Sequence, residues 1–312
     1  MPPGPRLILL LGFAVVSAFP NPAAATSSYV AASSTVRVAC AGTTTVLPAT
    51  WYFPQPQTSA GLVWLQHGFF RANEDVAHLA SQMARAGFVV FAPTIASLQG
   101  PCTFNNVTDF VPNLAALFAD ISSPSSQLLQ SARSAAASVG LAVPALPARF
   151  VFSGHSAGGS AATLVAKEYV TRFPSIARRL RGLVLLDPVE NAAKSMATSL
   201  PSLSHVQVLT VSAYPTPCNA NTSGTQALLA AGLPFVGFEV TTGSHCDAEG
   251  ASGNPVLCGL VCGPVRVVNV WVLPTFAVGW TADLLLGRTT AALYPGGDLY
   301  EAVASAGVIR TY

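Results

Sequence analysis

The stretch Gly154-His155-Ser156-Ala157-Gly158 decides the fold of this chain. It follows the apolar run Arg149–Ser153 and leads into Gly159–Ala166, a run compatible with a helix. A G-x-S-x-G sequence between a strand and a helix is typical of a sharp turn that exposes the serine hydroxyl at the end of a sheet. The glycines let the backbone bend tightly around Ser156, and the next amide points toward a helix N-terminus. The alternative is a Gly-rich β–α turn with an ordinary serine.

The composition favours one large domain with an apolar interior. A chain of 312 residues is long enough for one α/β domain with a well-buried core. Apolar residues make up 51% of the chain and charged residues only 9%, whereas charged residues usually make up about 25%. A net charge of +2 without a basic run gives no electrostatic basis for binding nucleic acid.

Residues 1–25 have the pattern of a secretory signal. Arg6 supplies the positive region, Leu7–Val16 the apolar region and Ala23–Ala25 a small-residue cleavage site. The apolar run is short for a membrane span, and an uncleaved anchor is the alternative. We therefore expect cleavage near Ala25 and one domain over residues 26–312, located outside the cell or in the cell envelope or periplasm.

Six cysteines in an exported chain predict three disulfides. Their spacing does not match a zinc site, and the pairing stays open because six cysteines allow fifteen connectivities. The cysteines are Cys40, Cys102, Cys218, Cys246, Cys258 and Cys262.

Apolar strands alternate with helices along the rest of the chain, after a predicted hairpin of Thr35–Cys40 and Thr43–Tyr52. Further strands are predicted at Gly61–Gln66, Phe88–Ala92, Arg149–Ser153, Gly182–Leu186, Val206–Val211 and Phe235–Val240. Helices are predicted at Asn73–Ala86, Val107–Ile121, Gln127–Val139, Thr225–Ala231 and Val265–Gly287, as well as after Ser156. This alternation indicates an α/β fold whose mostly parallel sheet is covered by helices on both faces.

A serine nucleophile needs a base that takes its proton and a group that orients the base. Of the five histidines, His245 follows the last predicted parallel strand, so it lies at the end of the sheet where Ser156 is exposed. His245 is therefore the predicted base. A histidine in a surface loop is the alternative.

The predicted acid is Asp187, which directly follows the strand Gly182–Leu186. The loop after the next strand would be another natural place, but no Asp or Glu occurs between Glu190 and Glu239. Glu190 and Asp247 are the reserve candidates, and Asp187 could alternatively serve only to begin a turn before Pro188. The chain order Ser156, Asp187, His245 is that of α/β-hydrolases.

Acyl transfer also needs donors for the developing oxyanion. The predicted donors are the amides of Ala157 and of Phe69, which follows the flexible Gly68. The rings of Phe69 and Phe70 are predicted to line a substrate pocket, with His155 as a further substrate-binding candidate; core aromatics are the alternative for the two rings.

Three motifs together resemble the α/β-hydrolase superfamily, closest to its chlorophyllase, dienelactone-hydrolase-like and bacterial cutinase-polyesterase branch. They are Leu65–Phe69, Gly154–Gly159 and Leu186–Val189. The Asp-Pro-Val sequence is similar to the place where chlorophyllases keep their acid. Ala157 departs from the pattern, since chlorophyllases tend to have arginine there and polyesterases methionine. The motifs thus indicate fold and triad more specifically than substrate.

The stretch between Asp187 and the strand at Val206 is short, so we expect no large cap domain and an accessible site. The resemblance implies an α/β-hydrolase fold and hydrolysis of carboxylic esters through an acyl-serine. It implies an apolar or lipid-like ester as substrate, with no metal, no organic cofactor and no evident protein partner. By analogy with polyesterases, a Cys218–Cys246 bridge would fix the base; Cys258–Cys262 and Cys40–Cys102 would then remain. Two further hypotheses are transfer of the acyl group to a sugar or lipid alcohol, and a catalytically inactive hydrolase fold used for binding.

Overall fold

The structure is a computed structural model that describes residues 27–97, 100–143, 145–253 and 255–312. The predicted signal sequence, residues 1–25, and the predicted first mature residue, Thr26, lie outside the described residues.

The described residues form a nine-stranded sheet, and its strands are short and apolar in the centre. The strands are β1 (Ser28–Cys40), β2 (Thr43–Gln55), β3 (Leu62–Gln66), β4 (Val89–Pro93), β5 (Phe150–His155), β6 (Leu180–Leu186), β7 (Val208–Ser212), β8 (Phe235–Val240) and β9 (Ile309–Thr311). The order across the sheet is β1-β2-β4-β3-β5-β6-β7-β8-β9. The pairings from β4 to β8 are parallel, whereas β1–β2, β2–β4 and β8–β9 are antiparallel.

Helices cover both faces of this sheet. They are α1 (Ala77–Arg85), α2 (Phe110–Ala119), α3 (Gln127–Ser138), α4 (Ala157–Arg172), α5 (Ser195–Ser199), α6 (Ser223–Ala231), α7 (Pro255–Val261), α8 (Val267–Leu286) and α9 (Asp298–Ser305). Side chains of α2 to α6 pack into one apolar core, and side chains of α1, α8 and α9 pack into a second core on the other face. The predicted α/β-hydrolase fold is confirmed.

The central strands are apolar on both faces because each face is covered. On β5, Phe150 and Phe152 lie in the first core and Val151 lies in the second. This alternation follows from the two-residue period of a strand. It fixes the register of β5 and therefore the place where its last residues emerge from the sheet.

Helix α8, with 20 residues, is the longest helix of the described chain. By length and composition it could cross a membrane, but 67% of its most apolar window is buried within the protein. The rings of Phe276 and Trp280 are completely buried and pack against Phe238 of β8. Helix α8 is therefore a core helix.

Several elements differ from the sequence-based expectation. The predicted hairpin is longer at its outer ends, since its strands extend to Ser28 and Gln55. The predicted helix from Asn73 begins as a 3-10 turn, Asn73–Val76, and becomes α-helical at Ala77. No helix was predicted at α5, α7 or α9. No strand was predicted at the three-residue β9, whose pairing with β8 extends the sheet.

The disulfide pairing corrects two of the three expected bridges. Cys40–Cys102 is present as expected, but Cys218 pairs with Cys262 and Cys246 pairs with Cys258. The amide of Cys262 donates to the carbonyl of Cys258, so these two residues are one helical turn apart. Cβ atoms one turn apart are about 5–6 Å from each other, too far for a disulfide. Three disulfides fit an extracellular protein.

The segment between β6 and β7 is short, as the expectation of an uncapped site requires. Within it lie α5, which has five residues, and the 3-10 turn Leu200–Leu203. No large cap domain is present among the described residues.

Candidate active site

Ser156 lies on a strained turn between β5 and α4. Its backbone has φ 58° and ψ −127°, a conformation that non-glycine residues rarely adopt. The amide of Ser156 donates to Leu186 of the adjacent strand β6, and its carbonyl accepts from Gly159 and Val189. These bonds hold the turn in place, so the hydroxyl is presented at the end of the sheet as predicted.

The glycines of the motif are required by close packing. A Cβ atom on Gly154 would lie 2.1 Å from the carbonyl oxygen of Gly158. A Cβ atom on Gly158 would lie 2.5 Å from the carbonyl oxygens of both Gln66 and His67 at the end of β3. Only glycine fits at these positions, because the neighbouring atoms belong to the backbone.

Ser156, His245 and Asp187 form a continuous chain of hydrogen bonds. His245 Nε2 lies 2.8 Å from Ser156 Oγ, and His245 Nδ1 lies 2.5 Å from Asp187 Oδ2. All three residues are at least 90% buried. Since a carboxylate only accepts, the proton of the neutral imidazole lies on Nδ1, and Nε2 is free to accept the serine proton. The structure thus brings the three predicted catalytic residues together.

Asp187 is held by two donors that were not predicted from the sequence, the amide of Ala213 and the side chain of Asn219. Asp187 Oδ1 accepts from the amide of Ala213 at 3.0 Å, and both carboxylate oxygens accept from Nδ2 of Asn219. Asn219 is completely buried, and its Oδ1 accepts from the amides of Thr216 and Thr222. These bonds fix the orientation of the carboxylate. With the contact to His245, each carboxylate oxygen has two hydrogen-bond partners.

The two reserve acids have other partners. Asp247 Oδ2 accepts from the amide of Ser244 and, with the Ser244 hydroxyl, caps the 3-10 turn His245–Ala248. Burial raises the pKa of Asp247 to about 7. Glu190 accepts from the amides of Met196 and Ala197 at the start of α5. Neither side chain reaches the ring of His245, which leaves Asp187 as its acidic partner.

His155 packs against His245 and does not line the cavity beside Ser156. It is 1% exposed, and its Nε2 donates to the main-chain carbonyl of His245 at 2.7 Å. Burial holds the pKa of His155 well below its usual value, and the nearby His245 lowers it further. The described residues that line the cavity do not include His155. Its placement therefore does not match the predicted contact with substrate and indicates support of the base.

A partly buried ion pair lies beside His155. Arg71 Nε donates to Glu249 Oε1 at 2.7 Å, and the same oxygen lies 3.8 Å from His155 Nδ1. Burial raises the pKa of Glu249, while Arg71 opposes that effect. Glu249 also lies beside Cys246 and Cys258, but these two sulfurs are joined in a disulfide and are not thiolate ligands for a metal.

The loop after β3 packs directly on Ser156. A Cβ atom on Gly68 would lie 3.0 Å from Ser156 Cβ, so only glycine allows this close approach without displacement. His67 Nε2 accepts from the amide of Ile95, which leaves the ring proton on Nδ1, and Nδ1 donates to the carbonyl of Gly68. Because the C=O and N–H of a trans peptide point in opposite directions, His67 fixes the direction of the Phe69 amide.

The predicted aromatic pair lies exposed on the loop after β3. Phe69 is 46% exposed and Phe70 is 70% exposed, and their ring centroids are 4.3 Å apart. The alternative that both are core aromatics is therefore wrong. Phe69 also lines a cavity of about 120 Å³ beside Ser156, together with Gly68 and Ala157. Phe70 is not among the described residues that line this cavity, whereas Phe69 and Ala157, the two residues with the predicted oxyanion amides, both line it.

The family model of chlorophyllase matches residues 25–214. The chain belongs to the chlorophyllase family. Chlorophyllase-family proteins are ester hydrolases of the α/β-hydrolase type, which agrees with the fold and with the serine turn. The match includes Ser156 and Asp187 and ends before His245. A comparison with curated proteins gave no match. Substrate must therefore be argued from the site of this chlorophyllase-family protein.

Proposed function

We propose that this protein is an exported serine esterase in which Ser156 is the nucleophile, His245 the base and Asp187 the acid. The observation that supports this most is the chain of hydrogen bonds from Ser156 Oγ through both ring nitrogens of His245 to Asp187. Export is supported by the signal-like sequence before Thr26 and by the three disulfides.

The first half of the reaction forms an acyl-enzyme. Ser156 Oγ attacks the ester carbonyl carbon while His245 Nε2 takes the serine proton. Asp187 stabilises the resulting imidazolium through its contact with Nδ1. The amides of Ala157 and Phe69 donate to the oxyanion, and the position of Ala157 at the start of α4 adds the favourable field of the helix N-terminus.

The tetrahedral intermediate then collapses: the ester C–O bond breaks and the alcohol leaves with the proton of His245, which completes the acyl-enzyme. In the second half, a water molecule attacks the acyl-serine. His245 takes a proton from this water and returns it to Ser156 Oγ as the acid is released. Asp187 keeps the imidazole in the same orientation throughout, because its other oxygen is held by Ala213 and Asn219. No metal or organic cofactor is needed for either half.

The decisive test is covalent labelling of Ser156 with a fluorophosphonate probe, combined with p-nitrophenyl ester hydrolysis. We expect stoichiometric labelling of the wild type, and loss of labelling and a fall in kcat of several orders of magnitude in Ser156→Ala. Ser199→Ala is the matched control, since Ser199 is also buried and does not line the cavity. Folded wild type that neither labels nor hydrolyses an ester would overturn the proposal. Adding a sugar or lipid alcohol to the assay shows whether the acyl group passes to water or to an acceptor.

A further inference from the structure

Two residues in the lining of the cavity beside Ser156 carry polar side-chain atoms whose hydrogen-bonding capacity is not used within the described protein. Gln66, the last residue of β3, is completely buried, and Ser195, the first residue of α5, is 7% exposed. Within the described parts of the chain, neither Oε1 nor Nε2 of Gln66 has a hydrogen-bond partner, and neither does Ser195 Oγ. Both residues line the same cavity. Buried polar atoms without partners destabilise a fold, so three of them on two residues of one cavity lining indicate a polar ligand.

The cavity lies on the acyl side of the reacting ester. The leaving alcohol must take its proton from His245, so it must lie close to His245 Nε2. The cavity lining contains Ala157 and Phe69, which carry the proposed oxyanion donors, whereas His245 is not among the described residues that line it. The substituent on the other side of the carbonyl carbon, the acyl chain, therefore enters the cavity.

The size and charge of the cavity restrict the acyl group further. About 120 Å³ is less than the roughly 150 Å³ that accommodates a benzene molecule, so the cavity is suited to a short acyl chain. The lining includes no Asp, Glu, Lys or Arg among the described residues. His67 also lines it, but burial lowers the pKa of His67 and both its ring nitrogens already have partners. The lining is therefore suited to a neutral polar group and not to an ionised one.

We propose that Gln66 and Ser195 bind a hydroxyl or keto oxygen of a short acyl chain, so that the preferred substrates are esters of short hydroxy or oxo acids. This inference rests on the proposed esterase function. The amide of Gln66 both donates and accepts, as does the hydroxyl of Ser195, so a hydroxyl or a keto group finds a complementary partner. Ala161 and Leu164 of α4 and Phe104 supply apolar contacts for the carbon chain.

The test compares two esters with the same alcohol and the same number of carbons. We expect the wild type to hydrolyse p-nitrophenyl 3-hydroxybutyrate with a kcat/KM about tenfold higher than p-nitrophenyl butyrate, the gain of about one hydrogen bond. In Gln66→Leu this ratio should fall to near one, and Ser195→Ala should lower it as well. In Ser199→Ala the ratio should be unchanged, because that hydroxyl lies outside the cavity lining.

Thermal stability gives an independent readout in the protein without substrate. Gln66→Leu should raise Tm, because leucine of similar size replaces an amide without partners. A Gln66 with a structural role would instead lower Tm on substitution. Should Gln66→Leu not fold, the ratio in Ser195→Ala carries the test alone.

The outcomes separate this inference from the proposed function. Fluorophosphonate labelling and p-nitrophenyl acetate hydrolysis test the triad without using the polar end of the cavity. If both persist while the hydroxybutyrate-to-butyrate ratio is the same in wild type, Gln66→Leu and Ser195→Ala, the inference is overturned and the esterase function stands. Loss of labelling and of all ester hydrolysis in the folded wild type would overturn both.

Discussion

Asn219 donates from Nδ2 to both carboxylate oxygens of Asp187, 3.2 Å from Oδ1 and 3.1 Å from Oδ2. The same amide also donates to the carbonyl of Tyr214, and its oxygen accepts from two main-chain amides. Asn219 thus ties the proposed catalytic acid to the loop after β7. It acts on His245 only through Asp187, so it is a positioning residue.

We expect Asn219→Ala to lower kcat about 10- to 100-fold with little change in KM, since one hydrogen bond to a charged group contributes about 1.5–3 kcal/mol. Asn221→Ala is the matched control, because Asn221 is exposed two residues away. Steady-state kinetics on a short p-nitrophenyl ester measure the effect. A change in KM alone, with kcat preserved, would contradict a role in positioning Asp187.

The proposed triad could be predicted because its members follow directly from strand ends. Ser156, Asp187 and His245 each come shortly after an apolar strand, and parallel strands bring their carboxyl ends to one edge of the sheet. The fold class followed from the same alternation of apolar strands and helices. The order of apolar strands and helices along the sequence was therefore sufficient to predict the fold class and the three residues of the proposed triad.

Contacts between loops could not be predicted in the same way. Asn219 lies in a loop without any carboxylate or periodic pattern, and only the folded chain shows that its amide faces Asp187. Cys258 and Cys262 are close in sequence, but the helical turn between them directs each to a different partner. Strand β9 has three residues, too few to give a periodic signal.

Two disulfides join the α7 region to the loops around the triad, and one joins a distant part of the fold. Cys246 follows His245 directly and Cys218 precedes Asn219, whereas Cys40 and Cys102 lie at β1 and the segment before α2. We expect Cys246→Ser with Cys258→Ser to lower kcat at least tenfold, because the loop that carries His245 loses its covalent link to α7. The unfolding free energy should fall by about 3 kcal/mol.

Cys40→Ser with Cys102→Ser is the comparison for that double variant. Its disulfide closes a longer loop, so the unfolding free energy should fall by about 4 kcal/mol. Activity measured well below Tm should nevertheless stay close to that of the wild type. Denaturant unfolding and kinetics on both variants test this. Equal losses of kcat in the two would show that the bridge beside His245 has no special role in the site.

Gly158 packs against the carbonyls at the end of β3, so Gly158→Ala should displace either α4 or the loop that carries Phe69. A shift of about 1 Å at the reacting groups costs on the order of a hundredfold in rate, and we expect at least this loss in kcat/KM. Gly259→Ala is the control, since no atom lies within 4 Å of its added Cβ and alanine favours a helix. Wild-type activity in Gly158→Ala would refute the packing argument.

Phe70 is 70% exposed beside Phe69, which lines the cavity. Phe70→Ser should leave the unfolding free energy within about 0.5 kcal/mol of the wild type, because the ring is not in the core. The KM for an ester of a bulky apolar alcohol should rise up to about tenfold through loss of apolar contact. Val46→Ser removes a similarly exposed apolar side chain from the hairpin and should not change KM. An unchanged KM in Phe70→Ser would remove Phe70 from the substrate site.

Asp247 makes the stability of the fold depend on pH. Burial raises its pKa from 3.8 to about 7, so between these values the folded protein holds a proton that the unfolded chain has released. The contribution of this proton to the free energy of unfolding is therefore fully present below about pH 4 and is lost as pH rises toward 7. The slope is at most about 1.4 kcal/mol per pH unit for one proton.

Asp247→Asn keeps an oxygen that can accept from the Ser244 amide but does not ionise. We expect it to be more stable than the wild type at pH 8 and similar at pH 4, measured by thermal unfolding across this range. A stability difference that does not change between pH 4 and pH 8 would show that Asp247 does not titrate in this window.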